Sequence, residues 1–398
     1  MSSTGTYGAT VTVEALESDP YPIYKRLRDE EPVSWVESVG LWLVTRWDDV
    51  VYVDKTPDIF TGETEPSTLN RTFGKNLLGS EGDYHGRIRS IIYPAFRVAA
   101  IGHYPDEVIA PLANELIDTF AGRGEVEFVS EFAEPLSARA LRRALGLEDV
   151  AEETLRRWFV DLATGASNFE ADAAKQKIAD RASAEVDETL EPILDRLESA
   201  PDDTLLSSML HSEVEGERLT RQEIKSNLKV MIVGGLQAGT DLIAISMWAL
   251  LSHPEQAARV IADHSLIDKA IEEGARWHSP VGTSTRQATR DAELGGVKLE
   301  QGALVAAVLA SANRDERQWT DPDRYDVERR EGAHLAFATG PHLCIGARLG
   351  RYEARTSYRI LFDRLRNLRV DPERPTELSG WEFRSPHHLH LLFDPESA

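Results

Sequence analysis

Apolar residues recur at helical spacing over most of the chain between about residues 84 and 278. The clearest helix is predicted to begin after Thr220, which forms a capping box with Glu223, and to end at Ser252 before Pro254. Its middle is apolar on most sides, and its ~32 residues would span roughly 48 Å. We therefore expect this helix to cross the interior of the molecule.

Shorter elements surround the long helix. A capped helix is predicted after Asp19, and a β-hairpin is predicted from residues 33–36 and 41–45. Two more helices are predicted after the long one, starting at Pro254 and Ser265, and a second hairpin is predicted around residues 294–299. The pattern predicts a mainly α protein with a minor β portion.

Charge and hydropathy exclude several kinds of partner. The formal net charge is −23, whereas nucleic acids and anionic membranes require a basic face. No uninterrupted run of 18 apolar residues occurs, and the first residues lack the basic and apolar parts of a signal peptide. We therefore expect a cytoplasmic protein without nucleic-acid or membrane partners.

The single cysteine, Cys344, is the most informative residue of the chain. A lone cysteine cannot form an internal disulfide or a four-cysteine metal site, which leaves a buried inert thiol, a nucleophile or the axial thiolate of a haem. Gly340 and Gly346 flank it, where a tight loop needs a permissive backbone. Phe337, seven residues upstream, can cover the sulfur.

Phe337, Gly340, His342, Cys344 and Gly346 together resemble the cysteine-ligand loop of the cytochrome P450 family. In place of a second Gly and an Ala of the family pattern, this chain has Ala338 and Gly350. The resemblance implies a P450 fold with haem b between the long helix and the Cys344 loop, as one domain over residues 13–398 after a flexible segment 1–12. It further implies a monooxygenase that uses O2 and receives electrons from NAD(P)H through a ferredoxin or flavin reductase.

Further residues match haem contacts of the family. His85 and Arg89 lie four apart on a helix, and the resemblance implies that they bind the haem propionates together with Arg286 and His342. It also implies haem contacts from Phe337 and Gly346 in the ligand loop and from Gly235 in the long helix.

A charge network is implied on the helix that precedes the loop. Glu273 and Arg276 lie three apart on one face and can pair. By resemblance they form a buried structural network with Arg324, or failing that Arg329, and this network fixes the segment that presents Cys344.

The centre of the long helix departs from the family pattern. Most relatives place an acid and an alcohol there to relay protons to dioxygen. The corresponding residues here are Gln237, Ala238, Gly239 and Thr240, which we take as the catalytic segment. The missing acid–alcohol pair leaves a peroxide-driven peroxygenase or a non-catalytic haem sensor as alternatives.

The same segment resembles bacterial aryl-ether O-demethylases of the guaiacol type. That resemblance implies a small methoxy-aromatic substrate that is O-demethylated or hydroxylated. The substrate contacts that it implies are the aromatic residues Phe73, Phe169 and Phe383, with Val230, Gly234 and Ser284. Ordinary core packing is the alternative for the aromatic residues.

Basic residues cluster after the ligand loop. Between Cys344 and Val370 the chain has seven arginines but only two acidic residues, Glu353 and Asp363. This cluster is either a solvated helix face with internal ion pairs or a docking surface for an acidic electron donor.

Overall fold

The computed structural model describes residues 6–169 and 171–396. The helices are α1 Val13–Ser18, α2 Pro20–Glu30, α3 Trp47–Lys55, α4 Thr68–Phe73, α5 Gly82–Ile92, α6 Val98–Ile101, α7 Ala110–Asp118, α8 Glu134–Leu145, α9 Glu152–Ala166, α10 Ala173–Ser199, α11 Leu205–His211, α12 Arg221–Leu251, α13 Pro254–Ala262, α14 Ile267–Trp277, α15 Leu309–Ala312 and α16 Ala347–Arg364. The strands are β1 Val33–Val36, β2 Leu41–Val44, β3 Phe60–Thr61, β4 Glu125–Glu127, β5 Ser284–Ala288, β6 Ala292–Leu294, β7 Val297–Leu299, β8 Leu304–Ala307, β9 Arg366–Val370, β10 Leu378–Ser379, β11 Ser385–Pro386 and β12 His390–Asp394.

The long helix α12 organises the helical part of the molecule. It contacts α8, α9, α14 and α16, and most of its residues are buried. Thr220 and Glu223 form the predicted capping box, and Ser252 caps the carboxyl end. By length and composition α12 could cross a membrane, but 56% of its most apolar window is buried inside the molecule, as expected for a core helix.

The strands form a separate layer beside the helices. The main sheet has the order β1-β2-β8-β5-β3, in which only β2 and β8 run parallel. A three-stranded sheet has the order β4-β12-β9, and β6–β7 and β10–β11 are two-stranded hairpins. Strand β5 contains Arg286, and α3 packs against β8.

The predicted elements are confirmed in type and closely in position. The first predicted helix is α2, capped by Asp19, and the two predicted hairpins are β1–β2 and β6–β7. The flexible segment 1–12 stays a prediction; within it, the Tyr7 and Gly8 N–H groups donate to Glu31 and Val11 is buried. Residues 1–5 of that segment lie outside the described residues.

Candidate active site

The loop before α16 presents Cys344 through a tight backbone turn. Gly340 has a φ of +66°, and a Cβ there would lie 2.3 Å from the Asp54 carbonyl oxygen, so both conformation and space require glycine. Ala338 also has a positive φ, +56°, which explains why the family pattern has Gly at this position. The Cys344 N–H donates to the Phe337 carbonyl at 3.0 Å and closes the loop.

The Cys344 thiol is accessible although it lies deep in the molecule. Its side chain is exposed, yet burial raises the pKa of the thiol. The N–H groups of Gly346 and Ala347 hydrogen-bond to the sulfur, and Arg351 and Arg89 lie close enough to lower its pKa. These groups stabilise the thiolate against the effect of burial, as a metal-binding sulfur requires.

A partly buried ion pair supports the loop from behind. Arg351 of α16 donates to both carboxylate oxygens of Glu272 at 2.6 and 2.8 Å, and its guanidinium lies 4.1 Å from the Phe337 ring centroid. His334 adds a third contact to Glu272 at 3.1 Å. Burial raises the pKa of Glu272, but these hydrogen bonds outweigh it and hold the pKa at about 2.

Two histidines predicted to bind propionates lie side by side. The ring centroids of His85 and His342 are 4.4 Å apart, and His342 Nε2 donates to Glu81 at 2.7 Å. Burial, with His342 nearby, lowers the pKa of His85 to about 4, so its ring is neutral. His85 Nε2 is buried and has no hydrogen-bond partner within residues 6–169 and 171–396.

The two predicted arginines reach the same region from other elements. Arg89 donates to the Leu343 carbonyl at 2.7 Å, next to the ligand cysteine. Arg286 donates to the buried Asp54 carboxylate at 3.0 Å, and Ser284 donates to the same oxygen. Burial raises the pKa of Asp54 despite these partners. The Ser284 hydroxyl is thus bound to Asp54, and its predicted role as a substrate contact stays a prediction.

The middle of α12 is open on one side, although most residues of the helix are buried. Val230, Gln237 and Ala238 are incompletely buried and Gly234 is exposed, and residues with this spacing share a helix face. A Cβ at Gly234 would meet nothing within 4 Å, whereas one at Gly235 would lie 3.0 Å from Leu141 of α8. The Cβ side of Gly235 therefore packs against α8, and its predicted haem contact stays a prediction.

The predicted catalytic segment divides between two faces of α12. Thr240 donates its hydroxyl to the Leu236 carbonyl at 3.0 Å and is 5% exposed, so it cannot serve the open face. Gly239 faces the buried pair Ser137–Glu353, since a Cβ there would lie 2.9 Å from Ser137 Oγ. Of the four predicted residues, only Gln237 and Ala238 remain on the open side.

The three predicted cage aromatics differ in exposure. Phe73 ends α4 and is 2% exposed within the main hydrophobic core, which favours the core-packing alternative for this residue. Phe169 is 66% exposed after α9, and Phe383 is 55% exposed in the turn between β10 and β11. Phe383 forms a β-bridge with Val281, three residues before Ser284. Phe169 and Phe383 therefore keep aromatic surface available.

The predicted charge network is present with one correction. Arg276 is 1% exposed and donates to both oxygens of Glu273 at 2.7 and 2.8 Å. The third member is Arg329, which donates to Glu273 at 3.1 Å. Arg324 is exposed and contributes only its backbone carbonyl, to Arg276 and Arg329, because its side chain points to solvent.

Several polar residues of the site were not predicted from the sequence. The acids Asp54, Glu81 and Glu272 orient the predicted cations, and Asp241 and Glu353 are buried next to the centre of α12. Their partners lie up to 285 residues away along the chain. The one local signal was the four-residue spacing of Gln237 and Asp241, which places them on the same helix face.

The donor atoms and the open glycine positions of this site fit a haem. A thiolate supported by N–H donors suits iron, and the unpartnered buried His85 Nε2 suits a carboxylate oxygen. A Cβ at Gly346 or Gly234 would meet no atom of the described residues within 4 Å, which leaves room for a flat ring. The donor set and the open glycine positions both fit a haem with carboxylate side chains.

A sequence model of the family Cytochrome P450 matches residues 162–380, more than half of the chain. The chain belongs to the cytochrome P450 family. The P450 family uses a haem-thiolate cofactor, and because Cys344 is the only cysteine it must supply the thiolate. This P450 is a monooxygenase by family, with the P450 fold that places haem between α12 and the Cys344 loop.

Relatives with varied names resemble this P450 over almost its whole length. Cytochrome P450 107B1 of Saccharopolyspora erythraea is 32% identical over 93% of this chain and 93% of its own length. The steroid C26-monooxygenase of Mycolicibacterium smegmatis is 30% identical over 94% of this chain and 92% of its own. Among solved structures, CalO2 is 29% identical with a TM-score of 0.87, covering 95% of this chain and 97% of that chain.

Proposed function

We propose that this P450 oxidises a C–H bond of a small apolar molecule, and that a methoxyarene is the first substrate class to test. The observation behind the proposal is the open face of α12, where Val230, Gly234 and Ala238 are apolar and Gln237 is polar. Phe383 and Phe169 offer aromatic surface that could cover a ring.

NAD(P)H would supply the electrons of the proposed reaction. Haem bound through Cys344 would supply the activation of dioxygen. Two electrons, two protons and one dioxygen would convert a methoxyarene to its hemiacetal and water, and the hemiacetal would break down to a phenol and formaldehyde. In this proposal His85, Arg89 and Arg286 hold the haem carboxylates, and the apolar face of α12 excludes polar substrates.

A larger lipophilic substrate is the second candidate. One relative is named a steroid C26-monooxygenase, and the structure of CYP109E1 from Bacillus megaterium in complex with testosterone is similar, with a TM-score of 0.84, 25% identity and coverage of 94% of this chain and 99% of that chain. The burial of Phe73 favours this candidate, because it leaves Phe169 and Phe383 as the only exposed members of the three-aromatic cage.

A binding screen followed by product analysis separates the two candidates. The purified haem protein is titrated with guaiacol, anisole and testosterone, and the change in haem spin state is recorded for each. We expect a shift with a methoxyarene, and formaldehyde together with the phenol when NADH and a ferredoxin system are added. A shift and hydroxylated product with testosterone alone would contradict the methoxyarene proposal and favour the larger substrate.

The oxidant is a separate part of the proposal. We propose that dioxygen and a ferredoxin or flavin reductase support turnover in the cytoplasm. The absence of a free hydroxyl at Thr240 favours the peroxygenase alternative. Product formation with hydrogen peroxide, but not with NADH and the reductase system, would support that alternative.

A further inference from the structure

Asp241 lies one helical turn after Gln237 on α12, on the same side of the helix. Gln237 Nε2 donates to Asp241 Oδ1 at 2.7 Å. The Asp241 residue is 2% exposed, in contact with the β10–β11 hairpin through Ser385. The amide of Gln237 therefore joins a buried carboxyl group to the open face of the helix.

The second carboxylate oxygen has no partner. Asp241 Oδ2 is buried and forms no hydrogen bond with any described residue, and Ser385 is the other polar side chain beside the group. Burial raises the pKa of Asp241 to about 7, while the nearby Ser385 hydroxyl and the Gln237 amide act in the opposite direction. No charged side chain of the described residues contributes to this pKa.

This arrangement suits a neutral acid. A protonated carboxyl has one oxygen that accepts and one that donates. The Gln237 N–H occupies Oδ1, so the proton resides on Oδ2, for which the described protein offers no acceptor. A buried donor without a protein acceptor is costly unless water or a reactant accepts from it.

We propose that Asp241 holds a proton for dioxygen reduction in this enzyme and that Gln237 is the residue that positions it. During turnover the Oδ2 proton would pass to an acceptor on the open side of α12, which leaves a carboxylate that regains a proton from water. This inference rests on the monooxygenase activity and not on the identity of the substrate.

The other polar groups near the helix centre are poorly placed for this role. The hydroxyl of Thr240 is bound to the Leu236 carbonyl. Glu353 is also buried, and burial raises its pKa to about 8, but it accepts from Ser137 of α8 at 3.1 Å behind Gly239. Glu353 is therefore a matched control: a second buried neutral acid beside α12, on the face away from the open side.

The first measurement does not involve catalysis. The unfolding equilibrium of the haem protein is measured in urea between pH 5.5 and 7.5 for wild type and Asp241→Asn. A raised folded pKa means that the folded state keeps a proton that the unfolded state has lost, so stability falls as pH rises until the folded pKa is reached. We expect the unfolding constant of wild type to rise roughly tenfold relative to Asp241→Asn over this range.

The second measurement follows the fate of dioxygen without an organic substrate. With NADH and a ferredoxin system, dioxygen is reduced either by two electrons and two protons to peroxide or by four of each to water. We expect Asp241→Asn to raise the peroxide formed per NADH at least about threefold, while Glu353→Gln leaves that ratio at the wild-type value. The carbon monoxide spectrum of each variant confirms that haem is still bound through the thiolate.

Gln237→Leu tests the same idea without altering the acid. Loss of the amide N–H should raise the Asp241 pKa further, so the fall in stability extends to higher pH, and peroxide per NADH should rise as well. The proposal is overturned if Asp241→Asn changes only one of the two measurements or neither, or if Glu353→Gln raises the peroxide ratio more. None of these outcomes depends on whether a methoxyarene is the substrate.

Discussion

A thiol among apolar side chains normally keeps its proton, and burial raises the pKa of Cys344 in this sense. Two backbone N–H groups and two arginines act against that effect and favour the thiolate. The two neighbouring histidines also differ because their surroundings differ. His342 donates to Glu81, whereas His85 is neutral and its Nε2 has no partner among the described residues. Residue type alone therefore does not determine what each group can bind.

The glycines of α12 give the sharpest prediction at this scale. Gly239→Ala places a methyl group 2.9 Å from Ser137 Oγ and 3.2 Å from Glu353 Oε2, which are held together by a buried hydrogen bond. We expect this substitution to lower the free energy of unfolding by about 1–3 kcal/mol, as overpacking does. Urea denaturation at neutral pH measures it.

Gly234→Ala is the matched control, because a Cβ there meets nothing within 4 Å. Its stability should equal or exceed that of wild type by up to about 1 kcal/mol, since alanine is the better helix former. Equal stability of the two variants would show that Gly239 does not approach Ser137 as closely as the structure indicates.

At the scale of elements, the sequence predicted positions better than orientations. The capping box of α12 was predictable because Thr220 and Glu223 are local signals. The open face of α12 was not predictable. The helix is apolar on most sides, so the periodicity of its apolar residues does not indicate which face is open. The sequence therefore could not show that a Cβ at Gly234 would meet no neighbour within 4 Å, whereas one at Gly235 would lie 3.0 Å from Leu141.

The network on α14 shows a second limit. Glu273 and Arg276 were predictable from their spacing, but Arg324 and Arg329 lie on an irregular segment where spacing does not indicate side-chain direction. Backbone carbonyls also satisfy much of Arg276, from Asn313, Pro322 and Arg324. No sequence pattern marks a carbonyl acceptor, so contacts of this kind are found only in the structure.

The charge network around Glu273 predicts which substitution destabilises the protein more. Glu273→Ala leaves the guanidinium of Arg276 buried without its acid, and we expect a loss of about 3–5 kcal/mol together with most of the bound haem. Arg329→Ala removes hydrogen bonds to two acids, Glu273 and Glu331, and to three backbone carbonyls, and because Arg329 is less buried than Arg276 it should cost about 1.5–3 kcal/mol. Urea denaturation and haem content per protein give both quantities.

Arg324→Ala is the control for this series. Its side chain is exposed, and its carbonyl remains after the substitution, so the change in stability should stay within about 0.5 kcal/mol. A loss for Arg324→Ala as large as that for Arg329→Ala would mean that the third member of the network was chosen wrongly.

At the scale of the molecule, net charge and local charge have opposite signs. The chain has a formal net charge of −23, so an acidic electron donor would be repelled at a distance. An open groove beside the ligand loop has basic side chains. Arg89 and Arg97 line it together with Tyr93, Gly340 and Pro341. Both guanidiniums lie within 6 Å of the Tyr93 ring centroid.

The arginine cluster after Cys344 contributes less than its composition suggests. Arg351, Arg355 and Arg364 are paired with acids on other elements, which supports the internal ion-pair alternative for these residues. The remaining four are exposed and have no ion pair with another described residue: Arg348, Arg359, Arg366 and Arg369. Counting charges along the sequence could not separate these two groups, because the acids lie on α7 and α14.

If the donor is an acidic ferredoxin that docks over the groove, Arg97→Glu should slow the first electron transfer by about tenfold at low salt. Arg97 is exposed and has no ion pair with a described residue, so the substitution changes the local field without breaking an ion pair. Added salt should reduce the difference from wild type, because it screens exposed charges within about 10 Å at 0.1 M. The rate is followed in a stopped-flow instrument as formation of the carbon monoxide complex after mixing with reduced ferredoxin.

The control is Arg181→Glu, an equal change of net charge on α10, which packs against α4, α9, α11 and α12. If Arg181→Glu slows the transfer as much as Arg97→Glu, the total charge of the molecule governs the encounter and the groove is not the docking site.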